Sequence, residues 1–303
     1  RWPPSAGPKA FLRLAFISGV RSLAVPLAAS ELLPDNVTAW QQHADLLKPD
    51  SQAMVPMYAY RLAANSTGVL EMVERLTSNR PAGLGDDGDG AAFIYRDGMK
   101  SAMEKSRLAE HFTLALAGRA KNVAPALADV VPLHDTETLL DVGGGTGIYS
   151  IGFLRKNPQL TATVLDRPEV LKTAEKFAQE YDVSSRIKLL AGDMFSENLP
   201  NADVVLLSNI LHDWDVPECR DLVRRCAEAL NPGGRLIIHD VLLNDELDGP
   251  LPIALYSAAL FTLTEGRAYS AAEYSSWMQN AGLVTTAPVS TLIHCFAMAG
   301  TKP

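Results

Sequence analysis

A chain of 303 residues, 47% hydrophobic and 20% charged, is long enough for two domains or for one large domain with an appendage, and its composition is that of a soluble globular protein. Its formal net charge of −8 argues against nucleic acid as the main partner, because phosphate binding needs a basic face. The three cysteines, Cys219, Cys226 and Cys295, form no CxxC pair and no zinc spacing, so no metal is expected, and scattered thiols suit a reducing, cytoplasmic compartment.

From Arg1 to about residue 122 the apolar residues recur at helical spacing, broken into short pieces by Pro26, Pro34, Pro49 and Pro56. The stretch Pro81 to Gly90 is a loop, and Phe93 to Ala120 is helical again. The chain starts at Arg1 rather than Met, which is consistent with a leading segment ahead of it. No signal-peptide pattern is present. The longest mostly apolar stretch, Leu251 to Leu263, is shorter than the roughly 18–20 residues a bilayer span needs, so no membrane partner is expected.

After Glu137 the texture changes. The runs Thr138 to Val142, Thr161 to Leu165, Ile187 to Ala191, Val204 to Ser208 and Arg235 to His239 are short, rich in Val, Ile or Leu, and separated by helical patterns. Runs without alternation indicate strands buried on both faces, and strands alternating with helices indicate a doubly wound α/β sheet. Two late runs, Leu283 to Thr286 and Leu292 to Ala297, lie too close for a parallel crossover and are expected to pair antiparallel. The expected division is a mainly helical region over 1–122 and an α/β domain over 123–303.

The first run leads into Asp141-Val-Gly-Gly-Gly-Thr-Gly147, at the start of a helix. Glycines there let the backbone turn sharply and approach a ligand at the carboxyl ends of the strands. The second run ends in Asp166, where a carboxylate can accept from both hydroxyls of a ribose. The third runs into Gly192-Asp193-Met194-Phe195, where Asp193 can receive an adenine amino group while Met194 and Phe195 pack on the ring. A nicotinamide fingerprint, G-x-G-x-x-G, is not met, because the glycines stand at 143, 144, 145 and 147 and position 148 is Ile. The fourth run ends in Ser208 and leads to His212, on the same rim as the glycine loop. The fifth ends in Asp240, a carboxylate that can fix the tautomer of an imidazole and stabilise its protonated form.

At these residues the sequence resembles the small-molecule O-methyltransferases of the plant caffeate and hydroxyindole type, with their bacterial natural-product members. The resemblance runs from about Phe93 to the C-terminus. It is carried by DVGGGTG (141–147), LDRPEV (165–170), GDMF (192–195), LHDWD (211–215), NPGGRLIIHD (231–240) and EGRAYSAAEYSSWMQNAGL (265–283). It implies a seven-stranded S-adenosylmethionine (SAM) methyltransferase sheet whose last strand is antiparallel, and a homodimer. It also implies that no metal is used. The loop from Asp141 through Gly143 and Gly145 is then at the methionine moiety, Asp166 at the ribose, and Gly192 to Phe195 at the adenine. His212 is the base and Asp240 its orienting partner.

Methyl transfer from a sulfonium to oxygen needs an oxyanion-like nucleophile. A phenol of pKa about 10 is protonated at neutral pH, whereas an imidazole titrating at about 6.5 can take its proton, worth about 10²–10⁴ in rate. The acceptor is expected to be a small aromatic hydroxyl compound, in a pocket lined by Met99, Met103, Phe112, Tyr256, Leu260 and Phe261. Carbon or nitrogen acceptors, or a SAM-binding protein without catalysis, are the other readings. Three departures stand out. Ser208 occupies the place of a plant lysine, where it is the candidate for that cofactor contact. Ala268 occupies the place of a second glutamate, leaving Glu265 or Asp213 as candidates to replace it. The region before the glycine motif is shorter than the family's winged-helix and dimerisation region.

Overall fold

Strands covered on both faces have no side on which polar residues could alternate. In the computed structural model, which describes Leu70 and residues 106–133, 136–292 and 294–303, the five apolar runs are parallel strands. They are β1 (Thr138–Val142), β2 (Thr161–Asp166), β3 (Ile187–Ala191), β4 (Ala202–Ser208) and β5 (Leu230–Leu243). β1 and β4 are central and almost wholly buried, while β3 is an edge strand and correspondingly more exposed.

The helices are α1 (Ser106–Val130), α2 (Ile148–Lys156), α3 (Pro168–Glu180), α4 (Val216–Glu228), α5 (Leu251–Leu263) and α6 (Ala271–Asn280). Short strands β6 (Tyr269–Ser270), β7 (Val284–Thr285) and β8 (Val289–Ser290) precede β9 (Cys295–Thr301). The main path of the sheet has seven strands in the order β3-β2-β1-β4-β5-β9-β7, with β9 antiparallel to both neighbours; β6 adds to β5 and β8 to β9.

Successive strand residues point to opposite faces, and two cores follow. Leu139, Val204, Leu206 and Ile237 join α1, α2, α3 and Ile253 of α5 in one. Leu140, Val205, Leu207 and Ile238 join α4 and α6 in the other. Cys219 and Cys226, two helical turns apart, both face this second core and are fully buried.

The structure moves three expected boundaries. β5 does not stop at Asp240 but runs to Leu243, because β9 pairs with it as far as Val241 and β6 continues at Leu242 and Leu243. The last strand starts at Cys295, since Thr291 and Cys295 are joined by a backbone bond that closes a turn, and it reaches Thr301 by pairing with Arg235 and Leu236. The division at 122/123 falls inside the continuous helix α1. Most of 1–122 lies outside the described residues, as do Met99 and Met103. Among the described residues no helix is long and apolar enough to cross a membrane.

Candidate active site

The carboxyl rim of the parallel strands carries the expected residues, but they occupy it at two depths. On the β1–β3 side, Gly145 has φ +58 and open space where a side chain would stand, so the loop presents bare backbone outward. Its N–H donates to Asp166 Oδ2 at 2.8 Å, while Asp166 Oδ1 accepts from Arg167 N at 2.7 Å. Burial raises the Asp166 carboxyl to about 6 despite these bonds. Gly143 and Gly192 donate to the backbone carbonyls of Leu165 and Asp166, which ties the three strand ends together. Asp193 Oδ1 accepts from Phe195 N at 3.0 Å, and its other oxygen lies 3.4 Å from the Arg167 guanidinium. Phe195 meets Trp214 edge-on with ring centres 4.7 Å apart.

Two residues expected at the cofactor turn their side chains inward. Asp141 does not face outward: it is 1% exposed beneath Gly144, with Oδ2 accepting from the Ser150 hydroxyl at 2.7 Å and Oδ1 buried without a partner. Desolvation raises its carboxyl to about 7. Ser208 is likewise turned inward, because its hydroxyl is held by His239 Nδ1 at 2.8 Å on the neighbouring strand and by Asn209 Nδ2 at 3.2 Å.

On the β4–β5 side, β4 is followed by a short 3-10 turn, Leu211–Asp213, that carries His212. His212 is 4% exposed, with Nδ1 at 2.6 Å from Asp240 Oδ1. In the neutral imidazole, a proton on Nδ1 donated to Asp240 leaves the lone pair on Nε2. Nε2 lies 3.5 Å from the Tyr256 hydroxyl and 3.8 Å from Asp213 Oδ1. Burial acts to depress the imidazole pKa, but Asp240 and Asp213 outweigh it and His212 ends above its ordinary 6.5. Burial, and the nearby Asp240, push the Asp213 carboxyl up to about 7, with His212 opposing. The turn is pinned by Gly266, where a Cβ would lie 2.3 Å from the His212 carbonyl oxygen, and by the Tyr269 hydroxyl donating to Trp214 O at 2.6 Å.

Of the residues expected to line an acceptor pocket, Tyr256 meets His212 edge-on at 5.6 Å, and Leu260 and Phe261 follow on α5. Phe112 lies within α1. Ala268 is buried and carries no carboxyl, and the backbone N–H of Glu265 donates to Asp213 O at 3.3 Å. Asp213, with Oδ1 3.8 Å from Nε2, is a second carboxylate near the histidine.

Sequence patterning does not single out several residues of this rim. Half-buried Arg119 on α1 reaches Asn209 Oδ1 (3.3 Å) and Cys295 Sγ (2.7 Å), neither of them a carboxylate. Asn209 also donates to the Tyr149 hydroxyl at 3.2 Å. His239, adjacent to Asp240 but on the opposite strand face, binds Ser208 and Thr291, and burial lowers its pKa to about 4. Tyr274 on α6 donates to Asp240 Oδ2 at 3.1 Å. The one signal the sequence offers is a charged or polar residue within an otherwise apolar stretch, as at Arg119.

The two depths meet at Ile210, whose side chain fills the space beside Gly143. The rim fits a nucleotide-bearing sulfonium donor. Gly145 offers a cradle that a side chain would obstruct, and α2 opens on glycine, leaving its first-turn N–H groups without a side-chain cap. The buried Asp141 carboxyl lies directly below. Among the described residues no cluster of His, Cys, Asp or Glu could hold a metal ion.

The O-methyltransferase domain family matches residues 90–284. A crystal structure of an O-methyltransferase family 2 protein from Planctomyces limnophilus in complex with apigenin is 36% identical, with a TM-score of 0.73, covering 100% of this chain and 98% of that one. The chain is 36% identical over 184 residues to 3-hydroxy-5-methyl-1-naphthoate 3-O-methyltransferase of Streptomyces sahachiroi, covering 60% of this chain and 53% of that protein. It is 32% identical over 244 residues to L-tyrosine C(3)-methyltransferase of Streptomyces lavendulae, covering 79% of this chain and 65% of that protein. The chain therefore spans between half and two thirds of the length of these two curated relatives.

Proposed function

Since the chain belongs to the O-methyltransferase domain family, we propose that it moves a methyl group from SAM to a hydroxyl oxygen of a small aromatic molecule, with His212 as general base. The observation that carries this reading is the His212–Asp240 pair at 2.6 Å, which leaves Nε2 free to accept a proton on the rim where the glycine loop opens. Bound SAM supplies an electrophilic methyl group on a sulfonium. The chain's own residues do the rest. Gly145 and the first turn of α2 receive the methionyl part, with Arg119 the cation for its carboxylate. Asp166 accepts from the ribose hydroxyls, and Asp193, Met194 and Phe195 hold the adenine. Tyr256 gives up its place at Nε2 to the acceptor hydroxyl, and His212 takes that proton while Asp240 stabilises the resulting imidazolium. The apigenin complex and the naphthoate enzyme support an aromatic acceptor.

A second reading, transfer to an aromatic carbon, is favoured by the L-tyrosine C(3)-methyltransferase relative. The three thiols are all unpaired, which supports a cytoplasmic setting, and family likeness supports a homodimer. Incubation with methyl-labelled SAM and a panel of phenols, quinols and hydroxyindoles, read by mass spectrometry, tests the proposal. Label on oxygen is the expected result. Label on carbon selects the second reading, and SAM binding without S-adenosylhomocysteine would sink both.

A further inference from the structure

Asp240 is 1% exposed, and both of its oxygens find donors within the protein. Oδ1 takes His212 Nδ1 at 2.6 Å and the Val241 N–H at 2.8 Å. Oδ2 takes the Tyr274 hydroxyl at 3.1 Å, from a different element, the helix α6. We propose that Tyr274 is a positioning residue for the proton transfer proposed above: its hydroxyl anchors Asp240 and, through it, sets how His212 is oriented and how firmly it holds a proton.

Local sequence puts the hydroxyl there. Ser270 and Glu273 form a capping box that starts α6, and Arg267 pairs with Glu273 at 2.5 Å, so the first turn of the helix is fixed. Tyr274 follows at once, fully buried, its ring boxed by Tyr269 at 5.9 Å and Trp277 at 5.5 Å. Phenylalanine would fill that box equally well, so packing does not account for the hydroxyl. Its contact with a carboxylate does. An anchored Oδ2 keeps the carboxylate from rotating and spreads its charge away from the imidazole. Removing the donor leaves Oδ2 buried and unpaired, concentrates the charge on the His212 bond, and makes the imidazolium harder to deprotonate.

Other polar groups also face this relay, His239 and Cys295 near Asp240 among them. Asp213 and Tyr256 adjoin His212, Arg119 acts on it from α1, and Cys219 and Tyr269 adjoin Tyr274. A change confined to the Tyr274 hydroxyl removes none of these groups, so it reads the relay.

The test is Tyr274→Phe, followed by NMR titration of the His212 ring in the protein without acceptor, together with kcat, KM and SAM affinity. The inference rests on the proposed reaction, but the titration needs no turnover and so separates the two. A shifted titration in a protein that methylates nothing would remove the reaction and leave the relay. The expected result is a His212 midpoint raised by roughly half a unit or more. The acid limb of kcat should follow it upward, with kcat reduced about tenfold and the acceptor KM and SAM affinity within about twofold. In an Asp240→Asn background the same substitution should leave kcat unchanged. A lowered Tm with an unmoved titration would overturn the proposal, as would an undiminished effect in that background. If Tyr274→Phe does not fold, 3-fluorotyrosine at position 274, a stronger donor, decides: a lowered midpoint supports the relay and an unmoved one refutes it.

Discussion

The two sides of the rim solve different problems. On the β1–β3 side, backbone N–H groups contact half-buried carboxylates, as at Gly145 and Asp166, and the surface they present is open. On the β4–β5 side the groups are buried side chains that contact one another, as His212 does Asp240 and Asp240 does Tyr274. A ligand that must enter and leave is served by an open backbone cradle. A proton acceptor is served by a buried relay, where low dielectric strengthens each hydrogen bond.

If the sides are functionally separate, substitutions should divide cleanly between kcat and donor affinity. The largest effect is expected from His212→Ala, which should lower kcat by about 10²–10⁴. Calorimetry should find its SAM affinity within about twofold of the parent; equal loss of both would make His212 a structural residue. Asp166→Ala is the mirror image. Loss of a charged hydrogen-bond partner should weaken SAM binding about 10- to 100-fold, with kcat at saturating SAM changed less than about threefold. Unaltered SAM affinity would remove Asp166 from the donor site.

Gly266→Ala tests whether the turn needs its close support, since the new Cβ would meet the His212 carbonyl oxygen at 2.3 Å. Overpacking of this kind costs about 1–3 kcal/mol, so Tm should fall and kcat with it, while SAM affinity holds. A fall in SAM affinity to match would show that the two sides move together.

The last effect concerns pH. Desolvation raises the folded Asp141 carboxyl from 3.8 to about 7, so the folded chain holds that proton more tightly than the unfolded chain does. Its contribution to stability is complete below about pH 4 and is lost as pH rises through about 7. Asp141→Asn cannot ionise, so its Tm relative to the parent should improve between about pH 5 and pH 8. Parallel curves would mean that Asp141 carries a charge in the fold.

The division between the sides also explains what is legible in the sequence. The run at Thr138–Val142 is a strand to the residue, because burial of a short parallel strand selects a local run of Val, Ile and Leu; the edge run Ile187–Ala191 keeps the same bounds while remaining partly exposed. The glycine loop and His212 are placed by their position after such strands. The extension of β5 to Leu243 is apolar too, but Asp240 interrupts the run, and the pairing that carries it comes from β6 and β9, later in the chain. Asp141 and Ser208 turn inward against expectation because a motif gives the position of a side chain but not its direction. Arg119 and Tyr274 escape a reading of the sequence because their partners lie 90 and 34 residues away, and contacts at that distance leave no periodicity behind.

The three thiols offer an experimental handle on the sheet itself. Cys219, Cys226 and Cys295 are fully buried, and desolvation holds all three above the ordinary thiol pKa, Cys295 at about 11. An alkylating reagent therefore meets no thiolate until the protein opens locally. Because two thiols ride on α4 and the third begins β9, the order in which they acquire label would show whether the helix layer or the antiparallel strands come away first.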